Sequence, residues 1–329
     1  MLRIIYLGTP QFAVPTLLEL IKADDFEVVA AVCQPDRPRG RGNKVEEPPV
    51  KKAALEHNIP VFQPISLAKS PDVVEAMAAL KPDVLVMVAF GQILKQAVLT
   101  MAPYGVINVH GSLLPKLRGA APINWSIING DTITGVTTMQ TEAGLDTGPM
   151  LLKDEIVIDD EMTAEGLAAK MSEVGAHLLV KTLRKLKDGL LVAEKQNDDE
   201  ATFAPRLDKS MSPIDWSKGS RQIHDQVRGL APWPATTTRF RGQELKIVRT
   251  KLIDLNAQAA LSAKITGKPG TIYRHEQELL VECGGGGAGR EGCEKSFLQI
   301  LEVQALSRAK TEAKNWVNGV RLVDGERFE

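Results

Sequence analysis

Asn108, His110 and Asp146 are the residues whose types and setting could do chemistry. The first two stand in Gly105-Val106-Ile107-Asn108-Val109-His110-Gly111-Ser112-Leu113-Leu114-Pro115, an apolar run that ends on an amide and an imidazole. Two apart in an extended chain, they share one face, with Ile107 and Val109 on the other. Asp146 is the carboxylate of Thr141-Glu142-Ala143-Gly144-Leu145-Asp146-Thr147-Gly148, held between glycines. An amide and an imidazole can together hold a developing oxyanion. A carboxylate beside them can orient the imidazole or draw off a proton through water. The set suits acyl transfer. A lone histidine in an apolar strand is ordinarily structural, because buried polar groups simply find a partner. The amide on the same face and the carboxylate segment turn the reading toward a site.

These side chains need a scaffold that presents strand ends. Gly111 and Ser112 break the strand and Pro115 fixes a turn, which puts the pair at the carboxyl end of a sheet, where open α/β sheets bind substrates. Short β-branched runs at Arg3–Leu7, Val28–Cys33, Val84–Ala89 and Val106–His110 alternate with helical patterns at Ala13–Ala23, Val50–His57 and Val73–Leu80. That alternation predicts a mostly parallel, Rossmann-like sheet with helices on its faces. Gly135–Thr141 and Leu151–Ile158 read as further strands, and Ala164–Leu186 as a long amphipathic helix closed by Asp188-Gly189. Residues 191–207, which include Gln196-Asn197-Asp198-Asp199-Glu200, are polar and without period and read as a linker. Beyond 208 the texture is a helix at Gln222–Leu230 and then short alternating strands from Thr236 to Val303, the pattern of a small β-barrel. The fold class is therefore α/β over 1–190, with an all-β barrel over 208–329.

Asn108-x-His110, Ser112-Leu113-Leu114-Pro115, Arg118-Gly119-Ala120-Ala121-Pro122-Ile123 and Gly144-Leu145-Asp146-Thr147-Gly148 resemble the signatures of the folate-dependent formyltransferases. Leu7-Gly8-Thr9-Pro10-x-Phe12-Ala13 and Gln34-Pro35-Asp36-Arg37-Pro38-x-Gly40-Arg41-Gly42 are similar to the members that act on initiator Met-tRNA. The likeness runs nearly end to end, specific in the first half and loose after about residue 250. It implies transfer of the formyl group of 10-formyltetrahydrofolate, a co-substrate, to the amino group of the methionine on initiator Met-tRNA, with no metal or prosthetic group. It implies a catalytic domain over 1–190 and an OB-like tRNA-binding barrel over 208–329. Asn108, His110 and Asp146 are then catalytic. Val88, Phe90, Gly91, Ile93, Ser112, Leu113, Leu114, Pro115 and Gly144 line the folate. Arg37, Arg41 and Lys44, on a loop over 34–48, join Arg206 and Lys209 as tRNA contacts. The core motifs also admit an amino sugar nucleotide or glycinamide ribonucleotide as acceptor, and a non-catalytic tRNA-binding protein with a formyltransferase-like core is a third reading.

A chain of 329 residues exceeds one comfortable core. The formal net charge of −1 does not advertise a nucleic-acid binder, but local charge does. From Asp36 to Lys52 six basic side chains face three acidic ones, and from Arg206 to Lys251 ten face four. Both clusters suit a phosphate backbone. No apolar run approaches the roughly 18 residues that span a bilayer, and no leader segment is visible, so a monomer in a bacterial cytoplasm is expected. Cys33, Cys283 and Cys293 lack zinc spacing and make no disulfide framework, and reduced thiols are expected. The loop Asp36–Glu47, rich in proline and glycine, is expected to be irregular and to order only on an acceptor stem.

Overall fold

The computed structural model describes residues 1–39, 44–254, 258, 261, 267–275, 278–285 and 295–329. They form two units. The first comprises Met1–Pro122, Ile133–Val157 and Ala168–Ala204, the second Ile123–Thr132, Ile158–Leu167 and Pro205–Glu329.

In the first unit the apolar runs become β1 (Leu2–Gly8), β2 (Phe26–Val32), β5 (Val61–Phe62), β6 (Val84–Val88) and β7 (Val106–His110), all parallel. Two antiparallel strands, β9 (Ile133–Gln140) and β10 (Met150–Val157), extend the sheet past β7. The order is β10-β9-β7-β6-β1-β2-β5. The chain reverses its direction of travel across the sheet between β1 and β6, the topological switch point of a doubly wound fold. Ile4, Ile5, Tyr6, Leu7, Leu85 and Val86 are fully buried. Strands covered on both faces read as continuous apolar runs, which is why they were visible in the sequence. The long helix predicted at Ala164–Leu186 spans Ala164–Lys187. A Cβ on its Gly175 would meet Val109 Cγ1 at 3.0 Å and Val136 Cγ1 at 3.4 Å. The helix therefore covers the Val109 face of the sheet and leaves Asn108 and His110 on the other.

Two segments differ from the sequence reading. The loop over 34–48 contains a hairpin, β3 (Arg37–Arg39) against β4 (Lys44–Glu46), with Pro38 opposite Val45. Its base is anchored: Asp36 accepts from Gln63 Nε2 at 2.7 Å and from Lys51 Nζ at 2.6 Å. Those bonds hold the Asp36 carboxyl below its ordinary range. A two-stranded ribbon tolerates proline because the missing N–H costs nothing on an unpaired side. The segment expected as a linker is hydrogen-bonded along much of its length. Glu194 and Met150 exchange backbone bonds of 2.8 Å, and β11 (Phe203–Ala204) lies parallel to β8 (Arg118–Gly119). Those pairings join residues about 44 to 85 apart in sequence, so no local periodicity announces them.

The second unit carries a six-stranded antiparallel sheet of β12 (Thr236–Phe240), β13 (Gln243–Leu252), β14 (Ile272–His275), β15 (Glu278–Gly284) and β16 (Lys295–Ala305), in the order β12-β13-β16-β15-β14, with β17 (Thr311–Glu312) also paired to β16. Bridges from Phe328 to Phe240 and from Arg327 to Thr271 tie the chain's last residues to both edges. Trp216 packs in the core against Phe328, with its Nε1 donating to Thr238 Oγ1 at 2.9 Å. The helix Ser220–Gly229 is polar but buried, and its side chains explain why this unit also takes residues 158–167. Arg228 donates to the carbonyls of Asp159 and Met162, Arg221 pairs with Asp160, and His224 Nε2 lies 2.7 Å from the Asp160 carbonyl. Burial holds the His224 imidazole below its ordinary range. Composition alone does not reveal such exchange, so the boundary at 190 differs from the observed division. Among the described residues no helix is long and apolar enough to cross a membrane.

Candidate active site

β7 ends on His110 because Gly111 and Ser112 cannot continue it: Ser112 Oγ turns back to the Lys116 carbonyl at 2.6 Å, and Ser112 O accepts from Thr137 Oγ1 at 2.7 Å. His110 is 5% exposed, and its Nε2 lies 3.0 Å from the Leu117 carbonyl. A carbonyl only accepts, so Nε2 carries the proton and Nδ1 is the nitrogen left for chemistry. Nδ1 lies 3.7 Å from Asp146 Oδ2. That separation is ion-pair range and too long for a hydrogen bond. The same Oδ2 accepts the backbone N–H of Gly119 at 2.9 Å. Gly119 has φ 126°, and a Cβ there would meet the Ala204 carbonyl at 2.7 Å, so glycine alone lets β8 approach β11 and aim its N–H at the carboxylate.

Asn108 is 7% exposed, yet among the described residues its side-chain amide makes no hydrogen bond. It lies beside Met139 of β9 and Met87 of β6 in the sheet register. The amide atoms are not among the buried polar atoms left without a partner, so the side chain keeps its polar end in contact with solvent. Here it is left available on the face it shares with the His110–Asp146 pair. The strand thus presents an amide and an imidazole on one face, with a carboxylate against the imidazole, groups of the kind that attack of an amine on an acyl carbon uses. No covalent intermediate is called for. Cys33 is buried and desolvation pushes its thiol up to about 11, and Cys283 is raised further by burial. Cys293 lies outside the described residues.

The residues expected around a folate divide by what they offer. Val88 and Phe90 are buried in the core, and the Phe90 carbonyl already accepts from Thr9 Oγ1 at 3.3 Å and Gln34 Nε2 at 3.2 Å. Ile93, 86% exposed, and Gly91, at φ 77°, are the members of that group with free surface. Ser112 and Leu114 are buried and hold the turn after β7, with Leu114 N on Thr137 Oγ1 at 3.1 Å. Leu113 and Pro115 are half-buried, and Gly144 is exposed on the loop before Asp146. Of the residues expected to meet tRNA, Arg37 is exposed and donates to Gln34 Oε1 at 3.2 Å, and Arg206 and Lys209 are exposed on the second unit. Lys44 belongs to β4, while Arg41 lies outside the described residues.

Sequence reasoning missed the roles of Arg118 and Gln196. Both are buried and joined by a 3.0 Å hydrogen bond, and Gln196 holds the loop that carries Asp146.

Residues 2–183 match the model of the formyl transferase family, and residues 206–321 that of the formyl transferase C-terminal domain. The chain is 45% identical to methionyl-tRNA formyltransferase of Acetivibrio thermocellus, over 99% of each chain. It is 49% identical to that of Clostridium perfringens, again over 99% of each. Among solved structures, the N-formyltransferase of Helicobacter canadensis, in complex with folinic acid and dTDP-3-aminofucose, superposes with a TM-score of 0.66 at 20% identity, covering 91% of this chain and 99% of that one. At that identity the superposition shows the shared fold. The near-full-length similarity to the curated relatives goes further: this chain belongs to the formyl transferase family, among the methionyl-tRNA formyltransferases.

Proposed function

We propose that the protein transfers the formyl group of 10-formyltetrahydrofolate to the amino group of methionine on initiator Met-tRNA, as a monomer in the bacterial cytoplasm. One observation supports the chemical part of this reading: the His110–Asp146 pair at 3.7 Å, on the strand face that His110 shares with Asn108. The amine attacks the formyl carbon, and the oxygen that becomes negative takes the Asn108 N–H. His110, with Nε2 committed to Leu117 O, acts through Nδ1. Asp146, fixed by Gly119 N, receives the proton from the attacking nitrogen through water. The bond from the formyl carbon to N10 then breaks, N10 takes the proton back from Asp146 through water, and tetrahydrofolate leaves with both side chains in their starting states.

Purified protein is assayed with 10-formyltetrahydrofolate and initiator Met-tRNA, beside elongator Met-tRNA and an amino sugar nucleotide. Formylation of initiator Met-tRNA far ahead of the other two supports the reading. Preference for the sugar nucleotide, or no transfer to any acceptor, overturns it.

Two predictions concern the tRNA. Arg206 and Lys209 are exposed side chains in the basic stretch of the second unit. Replacing both with alanine is expected to flatten the salt dependence of Met-tRNA binding by about two units of slope, roughly one per phosphate contact, with folate binding unchanged. An unaltered slope in a binding titration counts against them. In the hairpin, Asp36→Ala removes the anchor for Lys51 and Gln63. We expect the KM for Met-tRNA to rise several-fold while the KM for folate holds, as befits a hairpin that carries Arg37 and serves the acceptor end. Equal changes in both constants, read from steady-state kinetics, would assign Asp36 to the folate pocket instead.

A further inference from the structure

We propose that Gln196 is a positioning residue for formyl transfer, acting through Asp146 as a clamp on the backbone of its loop. The inference rests on the reading of Asp146 given above. Gln196 is 5% exposed, and both hydrogens of its amide are used: Nε2 donates to the Asp146 carbonyl at 2.7 Å and to the Gly148 carbonyl at 2.8 Å. Its Oε1 accepts Arg118 Nε at 3.0 Å, and Arg118 Nη2 reaches Asp198 Oδ1 at 2.8 Å. The guanidinium can only donate, so it fixes which end of the amide is oxygen and turns the NH₂ toward the two carbonyls. The buried Arg118 is thus the switch that sets the polarity of the clamp.

The loop needs such a clamp. Asp146 has φ 53°, a left-handed conformation that side chains adopt at a cost and that persists where the surroundings over-determine it. No helix or strand runs from Thr141 to Pro149 to supply the constraint. Instead the residue is held at two points. Gly119 N holds the carboxylate and Gln196 holds the carbonyl. Both holds originate in the two residues of β8, Gly119 through its backbone and Arg118 through its side chain. With the carbonyls released, the carboxylate is free to drift from His110 Nδ1, and a shift of about 1 Å in a reacting group can cost on the order of a hundredfold in rate.

The test is a double-mutant cycle in the full-length enzyme. Gln196→Met keeps the volume and removes every hydrogen bond of the amide. It is expected to lower kcat roughly tenfold to a hundredfold, with the KM for Met-tRNA and for folate changed little. In an Asp146→Asn background the same substitution is expected to cost no more than about twofold further, because a clamp has nothing left to position. Full activity of Gln196→Met, or losses that multiply in the double variant, overturns the inference and leaves Gln196 as packing. Should Gln196→Met fail to fold, Gln196→Glu runs the same cycle: it keeps the acceptor for Arg118 and loses both donors. The two readings fail separately. A parent enzyme without formyl transfer overturns the proposed function and this inference with it, whereas an active parent, crippled by Asp146→Asn but with multiplicative losses at Gln196, overturns this inference alone.

Discussion

Asp146→Asn is expected to lower the turnover of formyl transfer by roughly a hundredfold to ten-thousandfold, the span removed with a general acid–base group. The substitution is nearly isosteric. Its amide oxygen can still accept the Gly119 N–H that Asp146 Oδ2 takes at 2.9 Å, and the backbone bonds from Gln196 are untouched. The fold is therefore expected to hold, with a thermal midpoint close to the parent's. What is lost is the negative charge 3.7 Å from His110 Nδ1, the carboxylate paired with that imidazole among the described residues. The attacking amine then has no acceptor for its proton, and the imidazole no charged partner. Because the carboxylate is spent on the reaction rather than on holding substrate, the KM values for folate and Met-tRNA are expected to stay within a few-fold. Single-turnover formylation with saturating folate measures the chemical step directly. A variant within tenfold of the parent would show that the proton leaves by another route.

How much of this was legible in the sequence depends on whether each feature is local. Asn108 and His110 share a face because a strand repeats every two residues, and the structure adds only that the long helix covers the opposite, Val109 side. β1, β2, β6 and β7 were legible for the same kind of reason, since strands buried on both faces leave unbroken apolar runs. Asp146 was legible only through the Gly144–Gly148 motif, because nothing in the spacing from His110 brings the two together. The partner of His110 Nε2 is a backbone carbonyl, which any residue at 117 would supply. Arg118 was legible only as the first residue of the Arg118–Ile123 motif, and Gln196 was hidden further still. Their bonds join residues about 50 and 78 apart, and a glutamine in a polar run resembles a linker until its amide is seen facing two carbonyls. The same blindness applies to Val88 and Phe90, whose burial in the core leaves Ile93 and Gly91 as the exposed part of that loop.

Asn108→Ala separates function from stability. Asn108 is 7% exposed and makes no side-chain hydrogen bond among the described residues, and its amide atoms are not among the buried unpartnered ones, so the amide holds no other group of the fold in place. Removing it breaks no hydrogen bond and takes away a small volume, so the folded state is expected to lose little stability. Turnover should fall instead. Loss of one oxyanion donor costs about a hundredfold to a thousandfold in kcat, and the donor is idle until the formyl oxygen becomes negative, so the KM for folate should barely change. Asn108→Asp makes the sign explicit: the volume is kept, but a carboxylate stands where negative charge develops, and the loss is expected to be at least as large as for alanine. A thermal melt and a kcat measurement on each variant decide the matter. A structural asparagine would lose stability and activity together, whereas an oxyanion donor loses activity while the melting point holds. Asn108→Ala with parental turnover would remove the amide from the reaction.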